Sequence, residues 1–333
     1  MTRAEIESLL SFYGLDGLEK IEERPGDESR AYRLELGDGM FVLRLSRCSV
    51  DDMIFERDLL CHLQGSELGP PVLVRNKAGS AFTPWGRGGR HVSLFRLSPG
   101  RSLARFELRP DHVRSIGRWL AQFHARAAEW GGVRKTPSTW TDLDDQLHRL
   151  ERAIERRRLA RRHLSRLLDL RWAFERLGAP DHRGLPYGII HGSPALSTAR
   201  FVRGALRGLT QFQHARSAPL VLDLAYAARD LCWVPAQMSL RGPQGVFHPA
   251  LVRALLDGYG EQRTLSAEEV RGMETELRRM CLEGAIRDLI RFELQSSGAG
   301  FRDYRHDVAK LWARWSGQRA EDERTREPVR KPM

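Results

Sequence analysis

Two absences limit the classes of protein to which this 333-residue chain can belong. No run approaches the roughly 20 apolar residues of a membrane-spanning helix. Glu5 and Glu7 stand where a signal peptide would carry its apolar segment. The four cysteines form no CxxC pair, which argues against a zinc site and a disulfide framework. The sequence therefore predicts a cytoplasmic protein with no membrane partner.

A third absence is local and concerns acidic residues. From His191 to Leu222 there is no Asp or Glu, although a chain with 43 acids would place roughly four there by chance. The stretch opens with "GIIHGSPALSTARFV", a short apolar run followed by His191-Gly192 and then by residues without charge up to Ala199. Positive charge is present instead, at Arg200, Arg203, Arg207 and Arg216.

Positive charge also dominates the whole chain, with a net charge of +11 and a pI near 10.0. Arginine outnumbers lysine roughly ten to one, a bias that genome base composition alone can produce. Because no nucleic-acid fold signature accompanies it, nucleic acid is not an expected partner. The weaker alternative, a nucleic-acid-associated factor, predicts polyanion binding with a steep salt dependence. The arginine-rich segment Arg149–Arg166 is either a solvated helix face or a docking surface for an acidic partner.

The order of predicted elements indicates two unequal lobes. A capped helix over 2–13 begins with Thr2 and Glu5, a hairpin is centred on Gly37-Asp38-Gly39, and a helix follows from "SVDDMIFERDLLCHLQG". Short strands are predicted in "PPVLV", "SAFTP" and "HVSLFRL", and the chain then becomes mostly helical. We predict an α+β protein with an N-terminal lobe over 1–97, a helical C-terminal lobe over 98–316 and a disordered tail over 317–333.

Four segments in this order resemble the aminoglycoside phosphotransferase and type II homoserine kinase family. They are "FVLRL", "IGRWLAQFHA", "GIIHG" and "PLVLDLAYAARDLCW", and the resemblance runs over about residues 5–315. It implies a bilobal protein-kinase-like fold, with a small antiparallel sheet lobe holding one main helix and a larger helical lobe. It also implies ATP-dependent phosphoryl transfer to a small molecule, which rests on positioning and on neutralising charge.

The chain departs from the family at the residues that do this chemistry. In the family the loop reads H-G-D, whose Asp orients the acceptor hydroxyl, and it is followed by an Asn that binds metal. A second Asp, in an I-D-F strand, binds the metal as well. Here His191 is retained, but the three positions are Ser193, Thr198 and Gln211. Their oxygens are neutral, whereas Mg²⁺ prefers carboxylates, and serine is no base near neutral pH. We therefore predict no intact catalytic residue, no magnesium and a pseudokinase, a binding or regulatory module with a protein partner or small ligand in the interlobe cleft.

The nucleotide side of the cleft is less altered. Arg44 occupies the slot of the family's phosphate-contacting lysine, and Glu56 is positioned to pair with it. The backbone near Phe95 and Leu97 would lie beside an adenine ring, while the phosphate-covering turn "GDESRAYRL" holds a single glycine. ATP thus stays open as a ligand.

The alternative interpretation is an active ATP-dependent phosphotransferase for a small hydroxyl or amine substrate. Its acids would come from Asp142, Asp144, Asp145 or the C-terminal helices. Another acid, Asp223, is predicted to cap its helix or to pin the preceding loop rather than to act in catalysis.

Overall fold

The structure is a computed structural model, and four of the features singled out above lie wholly or partly outside the part of the chain that it describes. The tail over 317–333, Asp142 and the turn at 26–28 are wholly outside it, and the Arg149–Arg166 segment is so in part. The residues described are 1–25, 29–46, 48–86, 89–134, 144–149, 151, 152, 155, 161–178, 181–235 and 245–288.

The N-terminal lobe is built on one antiparallel sheet. Its strands are β1 Leu18–Pro25, β2 Ser29–Leu36, β3 Gly39–Ser46, β4 Val72–Val74, β5 Thr83–Trp85 and β6 Arg90–Arg96. The strand order is β1-β2-β3-β6-β4, and β5 pairs with the outer part of β6. The hairpin predicted at Gly37-Asp38-Gly39 is confirmed, since Leu36 pairs with Gly39 at the end of the β2–β3 ladder.

Two helices cover the two faces of this sheet. Helix α1, Arg3–Phe12, has the predicted capping box, in which the Glu5 amide donates to Thr2 Oγ1 at 3.2 Å and the Thr2 amide donates to Glu5 Oε2 at 2.6 Å. It packs on the face that carries Leu34 and Leu43. Helix α2, Val50–Leu63, contributes its apolar side to the core that continues into the second lobe.

The C-terminal lobe is mostly helical, with three short strand pairs inserted between the helices. Strand β7, Tyr187–Ile190, pairs with β10, Arg216–Pro219; β8, Ala199–Val202, forms a hairpin with β9, Ala205–Leu209; and β11, Trp233–Pro235, pairs with β12, Gly245–Phe247. Within the described part of the chain, no helix combines the length and the apolar character needed to cross a bilayer. The helices are α3 Pro110–Trp130, α4 Arg161–Leu177, α5 Val221–Ala227, α6 Pro249–Gly260 and α7 Ala267–Asp288.

The linker between the lobes is held against the β8–β9 hairpin. Arg101 and Phe201 exchange two backbone hydrogen bonds, of 3.0 and 2.8 Å. Gly100 lies so close to Phe201 that a Cβ there would stand 2.5 Å from the Phe201 carbonyl oxygen. A Cβ on Gly69, in the small lobe, would stand 1.9 Å from the carbonyl oxygen of Arg207. These backbone-to-backbone contacts fix the position of the hairpin beneath the sheet.

Candidate functional site

The loop that follows β7 carries the first two predicted positions. Ser193 is partly exposed at its edge. Its amide donates to His191 Nδ1 at 3.3 Å, and among the described residues its hydroxyl makes no hydrogen bond. A free serine hydroxyl with no base beside it cannot accept a proton from an alcohol near neutral pH. The family's basic position therefore offers a neutral hydroxyl in place of a carboxylate.

Thr198 has a structural role inside the same loop. Its side chain is buried, and its hydroxyl donates to the Ala195 carbonyl at 2.8 Å and the Ser193 carbonyl at 3.2 Å. The same oxygen accepts the Ala195 amide at 3.0 Å. Its donor and one of its two lone pairs are thus engaged with the backbone of the loop, so the side chain of Thr198 is held in a structural role.

Gln211, the third position, begins the short helical turn Phe212–His214. It adopts a left-handed backbone conformation with a φ of 72°, and its side chain is exposed without a hydrogen bond to the described residues. The following Phe212 is buried, and its ring centroid lies 4.9 Å from that of His191. The aromatic position of the family's strand thus keeps its packing role, while the position of the metal-binding acid carries a neutral amide.

His191 is buried and has a structural role. It is fully inaccessible to solvent, and burial lowers the pKa of its ring to about 4, although the charge of Asp223 opposes the shift. A ring that stays neutral throughout the physiological range does not exchange protons with a substrate. The retained histidine therefore holds the loop rather than serving as an acid or a base.

Among the described residues, two carboxylates reach this loop, and both bind its backbone. Asp223 is fully buried and accepts the amides of His191 at 2.6 Å and Gly192 at 2.8 Å, so it pins the loop after β7 rather than the loop that directly precedes its own helix. Burial alone would raise the pKa of Asp223, but the 3.0 Å contact with His124 and the loop amides lower it. Asp230 accepts the Leu196 amide at 2.7 Å.

Sequence reasoning missed Asp230, although its spacing contained a signal. Residues seven apart lie on one helix face, so an acid seven positions after Asp223 would face the same loop.

In the part of the chain described here, no group of three His, Cys, Asp or Glu side chains could hold a metal ion. Of the acids named for the alternative, Asp144 binds Arg171 at 3.0 Å and lines a surface groove with Asp145 and Glu151. The described acids near the loop and in this groove therefore do not fit a magnesium centre.

The predicted ion pair between Arg44 and Glu56 is confirmed. Arg44 Nη1 donates to Glu56 Oε1 at 2.9 Å, and Arg44 Nη2 makes a second contact with Glu56 Oε2. Both side chains are buried. Burial opposes the charge of Arg44, but the Glu56 carboxylate outweighs it and raises the pKa of the guanidinium. The guanidinium therefore stays charged, and the two-point contact with Glu56 fixes its orientation.

Other groups of the protein take most of the remaining binding capacity of Arg44. Its Nη1 donates to Gln213 Oε1 of the C-terminal lobe at 2.9 Å, and its Nε donates to Ser46 Oγ at 3.1 Å. The guanidinium also lies over the Phe95 ring, 4.7 Å from the centroid. Four of its five N–H donors are thus engaged. Gln213 was not singled out from the sequence, where it stands 169 positions from Arg44.

The backbone near Phe95 and Leu97 is more occupied than predicted. Phe95 lies in register between Val42 of β3 and Leu73 of β4, and the Leu97 amide donates to the Met40 carbonyl at 2.9 Å. The end of β3 therefore already binds the Leu97 N–H. Nucleotide binding by these residues stays a prediction.

The four arginines of the acid-free stretch lie in different environments. Arg203 and Arg207 are exposed on the β8–β9 hairpin. Arg216 donates to the Tyr226 hydroxyl at 3.0 Å. Arg200 alone is buried, and it donates through Nη2 to the Gly100 carbonyl of the linker. The positive charge of this stretch therefore reaches the junction between the lobes only at Arg200.

Comparison with known proteins relates this geometry to a family. The family model described as the phosphotransferase enzyme family matches residues 20–269. A homoserine kinase of Methylobacterium radiotolerans is 28% identical over 291 residues, which cover 86% of this chain and 80% of that protein. A homoserine kinase of Xanthobacter autotrophicus is 27% identical over 301 residues, covering 86% of this chain and 84% of that protein.

Solved structures show the fold. Amicoumacin kinase hAmiN, in complex with AMP-PNP, Ca²⁺ and Ami, has a TM-score of 0.63 at 13% identity and covers 97% of this chain and 94% of its own. An aminoglycoside phosphotransferase from Alicyclobacillus acidocaldarius has a TM-score of 0.60 at 14% identity, with coverages of 94% and 92%. The predicted α+β kinase-like fold is confirmed by these likenesses.

Proposed function

The chain belongs to the phosphotransferase enzyme family, a family of small-molecule phosphotransferases, and from this premise we propose that it is a catalytically degenerate member. It acts as a binding or regulatory module, with a protein partner or a small ligand in the cleft between the sheet and the helical lobe. It does not transfer phosphoryl groups from magnesium ATP.

One observation carries the proposal. The family's base and metal positions hold Ser193, Thr198 and Gln211, and the two acids that approach the loop, Asp223 and Asp230, are bound to its amides. Phosphoryl transfer needs metal ions or cations placed against the moving charge. The carboxylates beside this loop are already hydrogen-bonded to its own backbone. This arrangement supports binding of a ligand without phosphoryl transfer.

A second observation supports the same conclusion on the nucleotide side. Arg44 is the cation that the resemblance assigns to phosphate, and its donors are directed to Glu56, Gln213 and Ser46. The contact with Gln213 joins the two lobes through the place where a phosphate would lie. This geometry favours a cleft held in one arrangement over one that opens and closes around a nucleotide.

The test is an ADP-release assay on the full-length protein with magnesium ATP, in separate reactions with L-homoserine, an aminoglycoside and choline. The Methylobacterium radiotolerans homoserine kinase is the positive control with homoserine. We expect no turnover above the protein-free blank. If the wild type shows robust magnesium-dependent turnover and the Arg44→Met variant does not, the activity belongs to this protein and not to a contaminant. That result would overturn the proposal.

A gain-of-site variant connects the result to named positions. Ser193→Asp combined with Gln211→Asp places carboxylates at two side chains that the described residues leave without hydrogen bonds. We expect magnesium to raise the melting temperature of this variant and to leave that of the wild type unchanged. A magnesium response in the wild type would show that other residues have rebuilt a metal site.

A further inference from the structure

Arg134 connects the C-terminal lobe to helix α2 of the small lobe. Its backbone belongs to the large lobe, because its amide donates to Ser217 Oγ at 3.0 Å and its carbonyl accepts the Ser217 amide at 2.9 Å. Its Nη1 donates to the carbonyls of Gln213 at 2.7 Å and Ala215 at 2.9 Å. Its Nε donates to Asp52 Oδ1 at 2.7 Å, in the first turn of α2. A single side chain, 17% exposed, thus binds both lobes.

Two acids of α2 lead to the same residue of the C-terminal lobe. Asp52 and Glu56 stand four positions apart, so they project from one face of the helix. Asp52 is joined through Arg134 to the Gln213 carbonyl. Glu56 is joined through Arg44 to Gln213 Oε1. Gln213 is therefore held from two sides, by its backbone and by its side chain.

The second half of α2 is attached to the large lobe in a different way. Leu59, Leu60 and Leu63 are buried in the core that continues into the C-terminal lobe. The first half carries the polar contacts of Asp52 and Glu56. Hydrogen bonds can be exchanged for bonds to water or to a ligand, whereas exposing three buried leucines is far more costly. The polar contacts are therefore the part of this junction that can be released.

We propose that Arg134 and Gln213 form a releasable interlobe clamp, which holds the first half of α2 and the neighbouring strand β3 against the C-terminal lobe. The cleft between the lobes widens at this end only when the contacts to Gln213 are released. This inference rests on the proposed function, because it names how access to the cleft of a binding module is controlled.

The clamp can be removed without leaving a buried charge unpaired. The Asp52 side chain is 35% exposed, so water can solvate its carboxylate once the guanidinium of Arg134 is gone. Without the Gln213 side chain, Arg44 keeps its two-point contact with Glu56. Variants at Arg134 and Gln213 should therefore fold, and their effect should be local.

The test is hydrogen–deuterium exchange of the full-length wild type, Arg134→Met and Gln213→Ala, measured on peptides by mass spectrometry. In both variants we expect the first half of α2 to exchange about tenfold faster or more, because charge-assisted hydrogen bonds are lost. The second half of α2 and helix α6 should exchange at wild-type rates. Arg57→Met is the matched control, since Arg57 also lies on α2 but donates to its neighbour Asp58.

Three results would overturn the clamp. The first is wild-type exchange of the first half of α2 in either variant. The second is an equal acceleration in α6, because the contacts would then support the whole fold rather than half of one helix. The third is an equal acceleration in the Arg57→Met control. If Arg134→Met does not fold, Gln213→Ala decides, since the Gln213 side chain is partly exposed.

The exchange experiment does not depend on turnover, which separates this inference from the proposed function. Magnesium ATP turnover together with the expected exchange pattern would refute degeneracy alone. Absence of turnover together with wild-type exchange in the variants would refute the clamp alone.

Discussion

The buried ring of His191 should cost the protein stability in mild acid. The side chain is inaccessible to solvent, and its ring centroid lies 4.9 Å from that of Phe212 and 5.8 Å from that of Trp119. Burial lowers the pKa of the ring to about 4 in the folded protein. In the unfolded chain the same imidazole titrates near 6.5, as an unperturbed histidine does.

The sign and size of the effect follow from these two values. Above pH 6.5 both states hold a neutral ring, so the stability is fully present. As the pH falls toward 4, the unfolded chain takes up a proton and the folded protein does not, so stability is lost. Between about pH 7.5 and about pH 5 the loss is about 2 kcal/mol. The pKa of Asp223 is lowered below its ordinary value of 3.8, so its contribution is lost at lower pH than this window.

The assay is urea unfolding, followed by tryptophan fluorescence at both pH values, of the wild type and His191→Asn. The asparagine oxygen is an acceptor in place of the imidazole nitrogen that binds the Ser193 amide, and it carries no titrating proton. We expect the wild type to lose about 2 kcal/mol more than the variant between the two pH values. An equal pH dependence would refute the reasoning, because the folded ring would then exchange protons with solvent.

Substitutions at three further positions, Gly69, Asp223 and Thr198, test the loop and the junction by urea unfolding, with Gly65→Ala as a control. Gly69→Ala should cost roughly 3 kcal/mol or more, because its Cβ would stand 1.9 Å from the Arg207 carbonyl oxygen. Gly65→Ala, with a φ of 75° and nothing within 4 Å of its Cβ, should cost about 1 kcal/mol, and equal losses would contradict the close approach at Gly69. Asp223→Asn should cost roughly 3 kcal/mol, since two amides and a histidine lose a buried charged acceptor, and an unchanged midpoint would show that the pin is dispensable. Thr198→Val should cost about 2 kcal/mol and Thr198→Ser about half of that, and the reverse order would assign the role to the methyl group.

The elements that the sequence predicted are those with strong local periodicity. Helix α1 and the β2–β3 hairpin carry their own caps and turn residues. Strand β1 was missed because "LEKIEERP" is mostly charged, as befits a strand at the sheet edge with one face in water. Strand β10, "RSAP", has one small apolar residue and ends in proline, so nothing in its sequence announces a pairing with β7.

The residues of the site fall into the same two groups: those that nearby sequence identifies, and those whose role depends on contacts between distant positions. Ser193, Thr198 and Gln211 were identified because each has a fixed distance from a local pattern. The sequence around a carboxylate does not show which distant group it contacts. The hydrogen bond from the Leu196 amide to Asp230 was therefore not predicted. Likewise, the Arg44–Gln213 contact joins positions that only the folded chain brings together.

The pinning of the loop by Asp223 has an evolutionary consequence. Asp223 and the hydroxyl of Thr198 hold the loop through its backbone, and neither contact involves the side chain of Ser193 or Gln211. A change of the Ser193 side chain therefore removes no hydrogen bond that holds the loop, whereas the left-handed backbone of Gln211 restricts what can replace it. The chemistry at the Ser193 position can thus change while the backbone scaffold of the loop remains as it is.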